Sequence, residues 1–158
     1  MILFIGRIIT KILLSLRYRV HLSGLAECLK QGNKGILFLP NHPGLIDPVI
    51  VCSLLMSHFR VRALANEKQI RSTVLKYFQK PFGIMQLPDI GIAGRSGHEM
   101  VLQQLKSCID ALKDGDNLLF YPAGRIYRSK FEKLRGNGGV ARILEEYPDV
   151  RIVLVRTK

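Results

Sequence analysis

The chain has 158 residues, 47% hydrophobic and 23% charged, enough for one domain with its own core and too apolar for a disordered segment. Its net charge of +12 at pH 7 favours anionic partners: an acidic membrane surface, phosphorylated small molecules or nucleic acid. Nucleic acid is the weakest of these, because the chain has no Trp and no recognisable DNA- or RNA-binding motif.

The charge is uneven. Residues 1–80 carry 12 Lys/Arg and 3 Asp/Glu, whereas residues 81–158 carry 12 and 9. At the amino end, Ile5, Ile8, Ile9, Ile12, Leu13 and Leu16 recur at helical spacing, with Gly6, Arg7, Thr10, Lys11 and Ser15 on the opposite arc. Sixteen helical residues rise about 24 Å, short of the ~20 residues that cross a bilayer. Arg7 and Lys11 lie inside the apolar region, unlike the leading charge of a signal peptide. Residues 1–16 are therefore expected to form an amphipathic helix lying in a membrane surface, ahead of a globular domain over 17–158.

Tyr18–Ser23 alternates apolar and polar residues and predicts an edge strand, followed by a polar helix or loop over Leu25–Gln31. Gly35–Leu39 predicts a buried strand. Asp47–Ser57 predicts a helix with Asp47 as N-cap and Pro48 at its first position. Val61–Ala65 and Ile84–Leu87 read as strands around a helix at Ile70–Gln79, and Asp89–Gly97 as a glycine-rich loop. Gly97–Lys113 has helical periodicity ended by Gly115, and Asn117–Tyr121 reads as a strand. A basic loop over Pro122–Gly136, a helix over Gly139–Glu146 and a strand over Val150–Val155 complete the series. Alternation of strands and helices predicts an α/β fold, a mainly parallel central sheet flanked by helices. The chain closes three residues past the last strand, so a fragment, or a minimal version, of something longer is expected.

Cys28, Cys52 and Cys108 are scattered without metal-ligand spacing and are expected to be reduced, in the core or on helix faces; no metal and no disulfide framework is expected. His21, His58 and His98 sit at a strand, a helix end and a helix start and read as structural or exposed. Two loops carry the chemistry. The first, Asn41-His42-Pro43-Gly44-Leu45-Ile46-Asp47, follows a buried strand and places His and Asp five apart. That spacing misses a helix face, but a turn through Pro43-Gly44 brings a carboxylate back to an imidazole, fixing its tautomer and supporting its cation. Spacing alone also allows an N-cap beside a loop histidine. The second loop, Tyr121-Pro122-Ala123-Gly124-Arg125, opens a stretch in which residues 124–135 hold five Lys/Arg and one Glu. Guanidinium forks and exposed amides there suit a phosphate ester, and a solvated basic loop is the other reading.

Asn-His-x4-Asp after one strand and aromatic-Pro-x-Gly-Arg after another resemble the glycerolphosphate acyltransferase superfamily. The 1-acylglycerol-3-phosphate acyltransferases, which make phosphatidic acid, match best, over Tyr18 to the end of the chain. The resemblance implies that His42 is the general base for an acceptor hydroxyl and that Asp47 orients it. Asn41 and Pro122 would support the two motifs, with Gly124, Arg125 and Arg128 at or beside the acceptor phosphate. The acyl donor would be acyl-CoA or acyl-acyl-carrier protein, with no further cofactor. Partners would be a lysophospholipid and an anionic membrane at its cytoplasmic face, and an acyl-activating domain in a fused arrangement. The chain departs from the family pattern at Ala123, where Glu is usual, and at Gly44, where Ser is common. Gly83-Ile84-Met85-Gln86-Leu87-Pro88 lacks the usual Arg, for which Arg95 in the next loop is the substitute, and the last motif is reduced to Val153-Leu154-Val155. Another lysophospholipid as acceptor, or a silent lipid-binding domain, are the alternatives.

Overall fold

The computed structural model describes residues 12, 14–66, 84–87, 94–127, 131 and 138–157. In chain order these form α1 (Leu25–Lys30), β1 (Ile36–Pro40), α2 (Asp47–Leu55), β2 (Val61–Asn66), β3 (Met85–Leu87), α3 (Gly94–Lys113), β4 (Asn117–Leu119), α4 (Gly139–Glu146) and β5 (Arg151–Val155). The five strands pair in the order β3-β2-β4-β1-β5, and every pairing is parallel. The α/β fold read from the alternating pattern is the observed one.

Alternate residues of β1 feed two cores, as burial on both faces of a parallel sheet requires. Ile36 and Phe38 pack with Val49, Val51, Cys52 and Leu55 of α2 on one face. Leu37 packs with Leu105, Cys108, Ile109 and Leu112 of α3 and Ile143 of α4 on the other. The connection from β1 passes over β4 to β2 through α2. Those from β3 to β4 and from β4 to β5 run the opposite way, through α3 and α4 on the opposite face. Reversed direction on the reversed face keeps these crossovers of one hand.

Three features set the strand register and ends. Asn117, 1% exposed, accepts the Ile36 N–H through Oδ1 at 3.0 Å and donates through Nδ2 to the carbonyls of Asn33 and Arg60 at 2.9 and 3.1 Å. Arg151 donates to the carbonyls of Cys28, Gln31 and Gly32, taking up acceptors left over at the end of α1. Behind α3, the Gly115 N–H bonds Leu112 and the Asp116 N–H bonds Ala111, with Gly115 at φ 91°; this double closure needs a left-handed residue and explains the glycine stop.

Several expectations are corrected. Tyr18–Ser23 is not a strand: it is irregular and exposed, with Val20 and Leu22 in solvent. Alternation makes a strand only where a sheet edge receives it, and the described partner of β1 on that side is β5. Helix α3 begins at Gly94, so Arg95 lies in its first turn and not in a loop. Strand β4 ends at Leu119. The N-cap of α2 is Ile46, and Asp47 is its first helical residue. Of the expected amino-terminal helix, Ile12 and Leu14–Leu16 are among the described residues and are helical, and Leu14 packs beside the α2-side core. The predicted helix at Ile70–Gln79 and the loop residues 89–93 lie outside the described residues. No described helix is long and apolar enough to cross a membrane.

Candidate active site

Strands β1 and β4 are neighbours, with Leu37 opposite Leu118 and Phe38 opposite Leu119. Their carboxyl ends therefore lie side by side, although 80 residues separate Asn41 from Tyr121. The chain leaves these two ends in opposite directions along the sheet. That makes their junction the switch point at which open parallel sheets bind ligands.

Asn41 anchors the first loop. Its N–H donates to the Val155 carbonyl at 3.1 Å, and its side-chain amide continues the ladder. Oδ1 accepts the Thr157 N–H at 2.6 Å and the Thr157 hydroxyl at 3.1 Å, while Nδ2 donates to the Thr157 carbonyl at 2.9 Å. The motif Asn thus ties the loop after β1 to the chain leaving β5. Thr157 carries no sequence signal for this role.

A reciprocal turn brings Asp47 back. Its N–H donates to the Gly44 carbonyl at 3.3 Å, and the Gly44 N–H donates to Asp47 Oδ2. The same Oδ2 lies 3.6 Å from His42 Nδ1. Pro48 follows Asp47 in the first turn of α2, where the helix dipole favours a carboxylate. This turn closes the five-residue gap that helical spacing leaves open. At 3.6 Å the contact is ion-pair range for a protonated imidazole, and separations of this order at substrate-free sites tighten when substrate binds. A Cβ added at Gly44 would meet Asp47 Oδ2 at 3.5 Å, ordinary contact, so the Ser common in the resembled family fits here.

His42 is 8% exposed and packs its ring against Tyr121, centroids 4.5 Å apart. Its carbonyl accepts the Tyr127 N–H at 2.9 Å, so the two loops meet directly at the histidine. Neither contact was legible from spacing. In the second loop the Gly124 N–H bonds the Tyr121 carbonyl at 3.0 Å across Pro122-Ala123, with proline second and glycine fourth in the turn. Gly124 has φ 63° and is exposed; Arg125 is exposed, its guanidinium 5.1 Å from the Tyr127 ring centroid. Ala123 is buried beneath them.

The structure therefore brings together Asn41, His42 and Asp47, with the loop of Pro122, Gly124 and Arg125 bonded to them through Tyr127. Arg95 lies in the first turn of α3, whose amino end faces the same edge of the sheet, and Arg128 lies outside the described residues. Cys52 and Cys108 are buried in the two cores, and burial pushes their thiols up to about 12 and about 11, the latter despite the opposing charge of Arg62. Both stay protonated at neutral pH and are poor nucleophiles. Among the described residues no three His, Cys, Asp or Glu side chains gather as metal ligands. Comparison with protein-family models and with curated proteins finds no match to this chain.

Proposed function

We propose that this protein is an acyltransferase that moves a fatty acyl group from acyl-CoA or acyl-acyl-carrier protein to the free hydroxyl of 1-acylglycerol 3-phosphate, giving phosphatidic acid. The observation that carries the reading is the buried His42 beside a half-buried Asp47, at the sheet's switch point and bonded to a glycine-arginine loop. Asp47 faces Nδ1, which assigns proton transfer to Nε2 of His42.

In this mechanism the acceptor oxygen attacks the thioester carbonyl carbon while Nε2 takes the hydroxyl proton. Collapse of the tetrahedral intermediate breaks the C–S bond. The imidazolium returns the proton to the leaving thiolate, so the products are an ester and a free thiol. Asp47 offsets the transient imidazolium charge. The exposed Gly124 backbone and the Arg125 guanidinium are assigned to the acceptor phosphate, with Arg95 and Arg128 as further cationic contributors. The protein would work on the cytoplasmic face of a membrane, held there in part by its basic amino-terminal segment.

The test is thiol release from acyl-CoA in the presence of 1-acylglycerol 3-phosphate, for wild type and His42→Ala. Loss of the base lowers turnover about 10²–10⁴-fold. Turnover that survives the substitution refutes the mechanism, and preference for a zwitterionic lysophospholipid in an acceptor panel would reassign the acceptor.

A further inference from the structure

The carboxyl edge of the sheet exposes several large apolar side chains among its polar ones. Leu45, in the His42 loop, is 60% exposed, and Ile126, next to Arg125 in the second loop, is 39% exposed. Leu154, near the end of β5 and opposite Leu39 of β1, is 79% exposed. These side chains come from three chain segments, yet parallel pairing of β4, β1 and β5 delivers all three to one edge. The Tyr127–His42 hydrogen bond holds the first two together. Arg125 and Arg156 are exposed among them, and the whole chain carries +12.

We infer that this rim is a membrane-docking surface, in which Leu45, Ile126 and Leu154 enter the interfacial layer of an anionic bilayer while Arg125 and Arg156 meet its phosphates. Single exposed apolar residues need no explanation, but several along one edge of the sheet, interspersed with guanidinium groups, mark a binding surface. Apolar insertion and attraction to anionic lipid are the two signals whose sum holds a protein on a membrane. A bilayer fits better than an acidic protein partner because the apolar side chains stand on three separate segments, two loops and the end of β5. Docked this way, the edge that carries His42 faces the lipid, and an acyl chain reaches it without crossing water. The identity of the lipid as substrate rests on the acyl-transfer reading, whereas the docking itself does not.

The chain has no Trp, so a single introduced Trp reports its own surroundings. The full chain is prepared with Leu45→Trp, at the rim, and with Leu29→Trp, exposed on α1 near the opposite edge of the sheet. Each is titrated with phosphatidylcholine vesicles, with and without phosphatidylglycerol, and with bromine-labelled lipid as quencher. The expected result is a blue shift and quenching at position 45 in anionic vesicles, and neither at position 29. A double variant Leu45→Asp/Ile126→Asp, its fold checked by circular dichroism, binds the anionic vesicles at least about tenfold more weakly. The inference is overturned if position 45 stays water-exposed on vesicles, if position 29 is quenched as strongly, or if the double variant binds like wild type. It is also overturned if an acidic carrier protein, and not lipid, shields position 45. His42→Ala keeps the two readings apart: it should retain vesicle binding while losing turnover.

Discussion

Replacing Asn117 by Ala tests how the site loops are held in register. Its amide joins three segments at the amino edge of the sheet: the Ile36 N–H that opens β1, and the Asn33 and Arg60 carbonyls on either side. Truncation leaves the Ile36 N–H buried without this acceptor, which costs about 1–3 kcal/mol. The two carbonyl contacts are only part-buried, and the Arg60 carbonyl still accepts the Asn117 backbone N–H at 3.3 Å. Their loss is closer to the net worth of a hydrogen bond, about 0.5–1.5 kcal/mol each. The sum centres on about 4 kcal/mol, a large share of the 5–15 kcal/mol typical of a whole domain. Equilibrium urea unfolding followed by far-ultraviolet circular dichroism measures it, with the midpoint expected to fall and the slope to stay constant. Asn117→Asp should do no better, because a carboxylate can accept from Ile36 but cannot donate to two carbonyls. A loss below about 1 kcal/mol in Asn117→Ala would refute the reasoning, since it would mean that water replaces the amide at no cost.

Further outcomes follow from the same contacts. Gly124→Ala forces a Cβ into the left-handed region and should cost about 1–2 kcal/mol and lower turnover by displacing the Arg125 loop, read by thermal melts beside the thiol-release assay. Gly44→Ser should fold and melt like wild type, since its Cβ meets Asp47 at ordinary contact distance; a large destabilisation would refute the turn geometry. Burial raises the Cys52 thiol from 9.0 to about 12, so the folded state keeps a proton that the unfolded chain releases above pH 9. Stability should therefore fall as pH rises from 9 towards 12, by up to about 1.4 kcal/mol per pH unit for this one group. Cys52→Ala should lose that share of the slope in urea midpoints measured across this range, and an unchanged slope would sink the assignment.

The site was half-visible in the sequence because its two loops are each local. Asn41 to Asp47 and Tyr121 to Arg125 are short runs of chemically marked residues after apolar strands, and both stand where the alternation of elements placed them. The meaning of their pairing was not local. It depends on β4 inserting beside β1, which no periodicity encodes. Tyr121 reads from sequence as an aromatic at a strand end; only the fold puts its ring on His42. Arg95 was misplaced because Gly94 and Gly97 read as loop residues, while helix α3 continues through both. Tyr18–Ser23 failed for the complementary reason, a strand pattern with no edge to join.

By itself the sequence determined the α/β class, the buried parallel strands and the residues able to move a proton, because hydrophobic period and side-chain chemistry are properties of short segments. The tertiary structure decided which loops meet. Strand order β3-β2-β4-β1-β5 is set by how two cores pack on opposite faces of one sheet, and that order alone brings the Tyr127 N–H to the His42 carbonyl. It also gathers Leu45, Ile126 and Leu154, which are far apart in the chain, at the edge of the sheet that carries the histidine.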